Sequence, residues 1–136
     1  MEQQKFRVLI VDDDPTIRDL LAEALTEEGF TSATAANGIE ALADIEAGPP
    51  NLVLLDIQMP KMDGRALLQT LAKNRIRIPV IVMSAAISPR TAARELRADG
   101  YLAKPFDLDQ VVDQVEQIFA EWSDSRQSVV TVGLNS

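Results

Sequence analysis

Asp12, Asp13 and Asp14 stand in a row after the apolar run FRVLIV, and Asp56, Ser84 and Lys104 each follow a later apolar run. Neighbouring like charges repel, so a strand that ends on three carboxylates is built to meet something positive. The 136 residues contain no cysteine and no histidine, which excludes thiol catalysis, zinc–thiolate sites, imidazole acid–base catalysis and a phosphohistidine on this chain. Carboxylates, a hydroxyl and an ammonium remain. Carboxylates without softer donors form a hard oxygen site, suited to Mg2+ with bound waters. Mg2+ beside a lysine and a hydroxyl is a receptor for a phosphoryl group, whose equatorial oxygens need that positive charge. The chain has no glycine-rich phosphate loop, so a nucleotide is not the natural guest.

Each residue has an ordinary explanation when taken singly. An acidic run is often a solvated patch, and an aspartate after a strand is often a turn residue or helix cap. The elements that must position them decide the matter. Apolar runs without polar alternation mark strands buried on both faces, as in a parallel sheet. Phe6–Val11, Leu52–Leu55 and Val80–Met83 are such runs, and TSATAA (Thr31–Ala36) and YLA (Tyr101–Ala103) are weaker ones. Stripes at helical spacing lie between them. Ile17, Leu20, Leu21, Ala24 and Leu25 form the first, stopped by Gly29; Ile39, Leu42 and Ile45 form the second, and Leu67, Leu68 and Leu71 the third. Ser88–Pro89 opens a fourth helix with a thin apolar face. Val111, Val112, Val115, Ile118, Phe119 and Trp122 give the fifth and strongest stripe.

Five alternations of strand and helix predict an α/β domain with a parallel sheet covered by helices on both faces. The polar second strand suits an edge. The first, third, fourth and fifth strands then end at Asp12–Asp13, Asp56, Ser84 and Lys104. Ligands of open α/β sheets bind beyond the carboxyl ends of the strands, so these side chains converge where a site belongs. After Trp122 the sequence SDSRQSVVTVGLNS loses periodicity, which predicts a tail or the start of a linker over 123–136.

Composition narrows the class further. A chain of this length with 46% hydrophobic residues builds one domain with a sizeable core. A formal net charge of −8 argues against direct nucleic-acid binding or attachment to an anionic membrane by this domain. The N-terminal apolar run is too short for a signal peptide and no stretch reaches the length of a membrane span, so a cytoplasmic protein is expected.

The segments VLIVDDDP, LVLLDIQMPKMDG, VIVMSAA and GYLAKPF, in that order and spacing, resemble the receiver domain of two-component response regulators over nearly the whole chain. The resemblance implies a doubly wound, flavodoxin-like (βα)5 fold with strand order 2-1-3-4-5, residues 1–122 being the receiver. It makes Asp56 the phosphoacceptor for a phosphoryl group carried by a sensor histidine kinase or a histidine phosphotransfer protein. Mg2+ would be held by Asp13 directly, by Asp12 through water, by Asp56 and by the backbone carbonyl of Gln58. Lys104 would pair with the phosphoryl oxygens across a cis Lys104–Pro105 bond, Ser84 would bond the arriving group, and Tyr101 would turn inward as Ser84 moves. Asp14 falls outside the metal pair and is expected to face solvent, while Pro60, Asp63 and Gly64 shape the loop over the site, with Gly64 at positive φ. The face of the fourth helix, fifth strand and fifth helix would control a downstream protein partner or output domain, in a monomer or weak dimer. The implied role is a switch with at most slow self-dephosphorylation, not an enzyme.

A second resemblance competes. LIVDDDPT fits the hhhDxDxT start of haloacid-dehalogenase-like phosphatases, with Asp12 as nucleophile and Asp14 as acid/base. That reading leaves Asp56 without a role, lacks the later acidic pair and has no room for a cap. A third reading, a degenerate receiver used only for docking, sits poorly with an intact set of site residues.

Overall fold

The computed structural model describes residues 6–59, 62–85, 91, 94 and 97–135, the stretch 126–135 by its backbone alone. Five strands form one sheet: β1 (Arg7–Val11), β2 (Thr31–Ala35), β3 (Leu52–Asp56), β4 (Val80–Ser84) and β5 (Gly100–Ala103). Their order is β2-β1-β3-β4-β5, and every neighbouring pair is parallel. The uninterrupted apolar runs became the three interior strands, because only there are both faces covered. The polar run became β2, at an edge, as expected.

Helices α1 (Pro15–Glu27), α2 (Gly38–Ala47), α3 (Gly64–Lys73) and a C-terminal helix (Leu108–Asn135) surround the sheet. Alternation along the strands divides the core in two. Val8, Ile10, Leu52, Leu54, Ile81, Met83 and Leu102 face α1 and the C-terminal helix. Leu9, Val11, Val53, Leu55, Val80 and Val82 face α2 and α3. Beside the amino end of β1, Phe6 meets Phe30, Phe119 and Trp122 edge-on, at ring-centroid distances of 5.8, 5.3 and 5.2 Å. This aromatic cluster fixes the C-terminal helix to the sheet.

The helix starts are written in side chains. Asp14 accepts from the Thr16 and Ile17 amides at 2.8 and 3.4 Å and caps α1, with Pro15 in the first turn. Asn37 caps α2 and Asp63 caps α3 in the same way. At the far end of α1 the Gly29 amide bonds the Thr26 carbonyl at 3.0 Å, so the stop lies where the glycine predicted it.

Several expectations need correction. Leu20 and Ile39 belong to the predicted stripes but are 48% and 57% exposed. The apolar arc of a surface helix is only about 100° wide, and both lie beyond its edge. In α2 the small Gly38 and Ala41, with Ile45, face the core instead. The C-terminal helix runs on past its apolar stripe, through Trp122 to Asn135. The segment 123–132 contains neither proline nor glycine, so nothing in it breaks a helix already started. The expected fourth helix and Pro60 fall on residues outside those described, except that Thr91 and Arg94 are helical.

Candidate functional site

Parallel register brings the polar residues together. Val11 lies opposite Leu55, so Asp12 and Asp56 leave adjacent strands at the same level. Asp56 lies opposite Met83, and Ser84 opposite Ala103, the residue before Lys104. Alternation then sorts the side chains. Asp12 continues the series Val8–Ile10, Asp56 continues Leu52–Leu54, and Lys104 continues Leu102, all toward α1. Asp13 and Ser84 belong to the opposite series.

Lys104 therefore meets the first two carboxylates together. Its Nζ donates to Asp12 Oδ2 at 2.8 Å and to Asp56 Oδ2 at 3.2 Å. Asp12 is fully buried, Ser84 likewise, and Asp56 is 3% exposed, whereas Asp13 is exposed. The remaining carboxylate oxygens are held by main chain: Asp12 Oδ1 accepts from the Asp14 amide at 2.9 Å and Asp56 Oδ1 from the Gln58 amide at 3.0 Å. Arg18 Nη1 donates to the Asp12 carbonyl at 2.8 Å and ties α1 to the turn that carries the acids. The Lys104–Pro105 bond is cis.

Burial pushes the Asp56 carboxyl above its ordinary value, and the Asp12 charge adds to this; the Gln58 amide and Lys104 pull the other way. For Lys104 burial acts to lower the value, but its hydrogen bond to Asp12 and the charges of Asp12 and Asp56 outweigh it and hold the ammonium above the ordinary lysine range. The site is thus an ammonium clamped between two aspartates, one of which is disfavoured as an anion by its burial.

A divalent cation fits the donor set. Oxygens of Asp12, Asp13 and Asp56 lie within 4.8 Å of one another, and all are hard donors. Gln58 is exposed beside them, bonded to Asp56 through its amide. Tyr101 is 40% exposed, on the outer strand.

Two contributors escaped the sequence reading. Arg18 carries no motif, and only its position on the first turns of α1 could have pointed to it. Asp14 is exposed as expected, yet its carboxylate is engaged as the cap of α1. Gly64 does not adopt positive φ; among the described residues of this loop Met62 does, at 54°. Gly64 is required for another reason. A β-carbon there would lie 2.6 Å from Ile57 Cα and 2.8 Å from the Asp56 carbonyl oxygen.

Comparison with known proteins agrees with this geometry. The family model of the response regulator receiver domain matches residues 8–116. The chain belongs to that family. It is 41% identical over 107 residues to the transcriptional regulatory protein TcrA of Mycobacterium tuberculosis, covering 77% of this chain and 42% of that protein. To the DNA-binding transcriptional regulator NtrC of Salmonella typhimurium it is 39% identical over 126 residues, covering 91% of this chain and 27% of NtrC. The chain thus spans less than half the length of these regulators. Among solved structures, the receiver domain of the Francisella response regulator 1452 superposes with a TM-score of 0.79 at 32% identity, covering 85% of this chain and 97% of that one. Response regulator TrrA from Thermotoga maritima, in complex with Mg2+–BeF, gives 0.73 at 38% identity, covering 82% and 97%. Asp14, the acid/base of the phosphatase reading, is engaged as the cap of α1.

Proposed function

We propose that this chain is a phosphorylation-controlled switch whose acceptor is Asp56. The donor is a phosphohistidine on a sensor histidine kinase or a histidine phosphotransfer protein. An oxygen of Asp56 attacks phosphorus; the new O–P bond forms as the donor's P–N bond breaks, and the imidazole leaves with that electron pair. Bound by Asp12, Asp13, Asp56 and the Gln58 carbonyl, Mg2+ would supply positive charge against the phosphoryl oxygens. Asp12 and the Gln58 amide orient the site. Lys104, released from Asp56, pairs with the oxygens of the transferred group, and the Ser84 hydroxyl bonds it after arrival. Tyr101 then turns inward and changes the face made by the fourth helix, β5 and the C-terminal helix, which controls a partner or an output domain. The observation that carries this reading is the Lys104 ammonium 3.2 Å from a buried Asp56 and 2.8 Å from Asp12.

Residues 1–122 serve as the receiver and 123–136 as a C-terminal tail or the start of a linker, helical as far as Asn135. The chain acts in the cytoplasm as a monomer or weak dimer, without binding nucleic acid itself; among the described residues no helix is long and apolar enough to cross a membrane. It signals rather than turning over, with at most slow self-dephosphorylation. The test is incubation with acetyl phosphate and Mg2+, followed by mapping of the acyl phosphate by mass spectrometry. About one phosphoryl group per chain, on Asp56 and lost in Asp56→Asn, is expected. A label on Asp12 with rapid multiple turnover overturns the proposal.

A further inference from the structure

The amino end of α2 belongs to no part of the acid site, yet it touches the segment that follows Asp56. The Gly38 amide, in the first turn of α2, donates to the Met62 carbonyl at 3.0 Å. Met62 holds a φ of 54°, a region that side chains rarely adopt, and packs against the α2–α3 side of the core. A β-carbon on Gly38 would run into the Met62 carbonyl oxygen and come within 2.7 Å of Met62 Cγ. Next in sequence, Asp63 caps α3 through the Ala66 amide, and Gly64 sits against the Asp56 carbonyl and Ile57 Cα. The contacts run without a gap from Gly38 through Met62, Asp63 and Gly64 to the backbone of Asp56.

Closely packed backbone transmits displacement, because it has no flexible side chain to absorb it. We infer that Gly38 is a positioning residue for Asp56: its missing side chain lets α2 seat Met62, and Met62 in turn seats Gly64 on the acceptor strand end. What Asp56 does once positioned rests on the function proposed above. The position of its backbone does not, and can be measured separately.

The experiment is Gly38→Ala in the full chain, read in three ways. Backbone amide resonances recorded in EDTA should shift at Ile57 and Gln58 as well as at Met62, with residues of β2 unmoved. Affinity for Mg2+ alone, by calorimetry, should fall roughly tenfold, the scale on which supporting residues tune a metal site. Phosphorylation by acetyl phosphate should slow at low Mg2+ and recover at saturating Mg2+. Adding Met62→Gly removes the Met62 Cβ and Cγ that the new methyl group meets and suits the left-handed backbone but keeps the carbonyl oxygen, so the double variant should return all three readings part of the way toward wild type. Shifts that stop at Met62, with unchanged Mg2+ affinity, overturn the inference. If Gly38→Ala does not fold, the double variant is read in its place. If neither folds, Met62→Gly alone is read: loosening this seat should still shift the Ile57 and Gln58 amides, and amides that stay in place overturn the inference. A wild-type chain that binds no Mg2+ sinks the proposed function, while the amide shifts still judge Gly38.

Discussion

The two ends of the sheet are built on opposite terms. At the amino end, Phe6, Phe30, Phe119 and Trp122 pack edge to face, and Arg7 bonds Asp44 at 2.8 Å and the Gly48 carbonyl at 2.5 Å. The rings and the Arg7 guanidinium are thus matched by partners of their own kind or of opposite charge. At the carboxyl end, Asp12 and Asp56 share the ammonium of Lys104, and Asp13 stands exposed beside them. Buried charge is stabilising only when it is fully matched, and here negative charge is in excess. Stability made at one end allows the other to remain unbalanced, and that imbalance is what receives a cation.

Breaking the aromatic end should have the largest effect. Phe6→Ala empties a fully buried ring site and should lower unfolding free energy by about 3–5 kcal/mol in urea titration, leaving Mg2+ affinity unchanged. At the acid end, Lys104→Ala leaves two buried carboxylates without their cation and should destabilise the metal-free protein by about 1–3 kcal/mol. Because the Lys104 value is raised, its contribution is complete below the ordinary 10.5 and lost as pH rises through the higher folded value, so the difference from wild type should be flat near neutrality and narrow in strong alkali. Mg2+ at ten times its Kd should stabilise wild type by about 1.4 kcal/mol, and Asp13→Asn should lose most of that gain in a thermal melt. An Asp13→Asn response equal to wild type would remove it as a ligand. Asp14→Ala should cost about 1 kcal/mol as a lost helix cap without affecting phosphorylation, which separates it from its two neighbours.

Asp56→Asn sharpens the contrast by its sign. The folded state binds the Asp56 proton more tightly than the unfolded chain does, since its value is raised from 3.8. Ionised Asp56 therefore subtracts stability at neutral pH, and that penalty fades as pH falls through the folded value toward 3.8. In EDTA the variant should melt above wild type at pH 7, and the gap should close toward pH 4. A gap that widens on acidification would mean that Asp56 is stabilised by its partners, contrary to the picture of a charge held against burial.

Much of this was legible in the sequence because strands buried on both faces leave uninterrupted apolar runs. Their ends located Asp12, Asp56 and Ser84, and parallel register made convergence a necessity. Which carboxylates meet Lys104 was less accessible: it depends on alternation carried past the strand end, and so on register. Leu20 and Ile39 misled because helical spacing fixes an arc without fixing its edges. Gly38 gave no signal, since its constraint comes from Met62, distant in sequence and held in an unusual backbone conformation. The continuation of the last helix past Trp122 was hidden because loss of an apolar stripe ends burial, not helicity.

The open edges of the sheet have a consequence for behaviour in a crowded solution. An unpaired strand edge is a template for strands from other molecules, and a long, flat, apolar edge invites growth into fibres. β2 offers five residues of mixed polarity and β5 only four. On β5, Gln114 Nε2 already donates to the Tyr101 carbonyl at 2.8 Å, so an incoming strand would first have to displace it. With a net charge of −8 on every copy, approach is opposed before any edges meet. Short edges, one of them capped by a side chain, give the fold a built-in resistance to aggregation by strand addition.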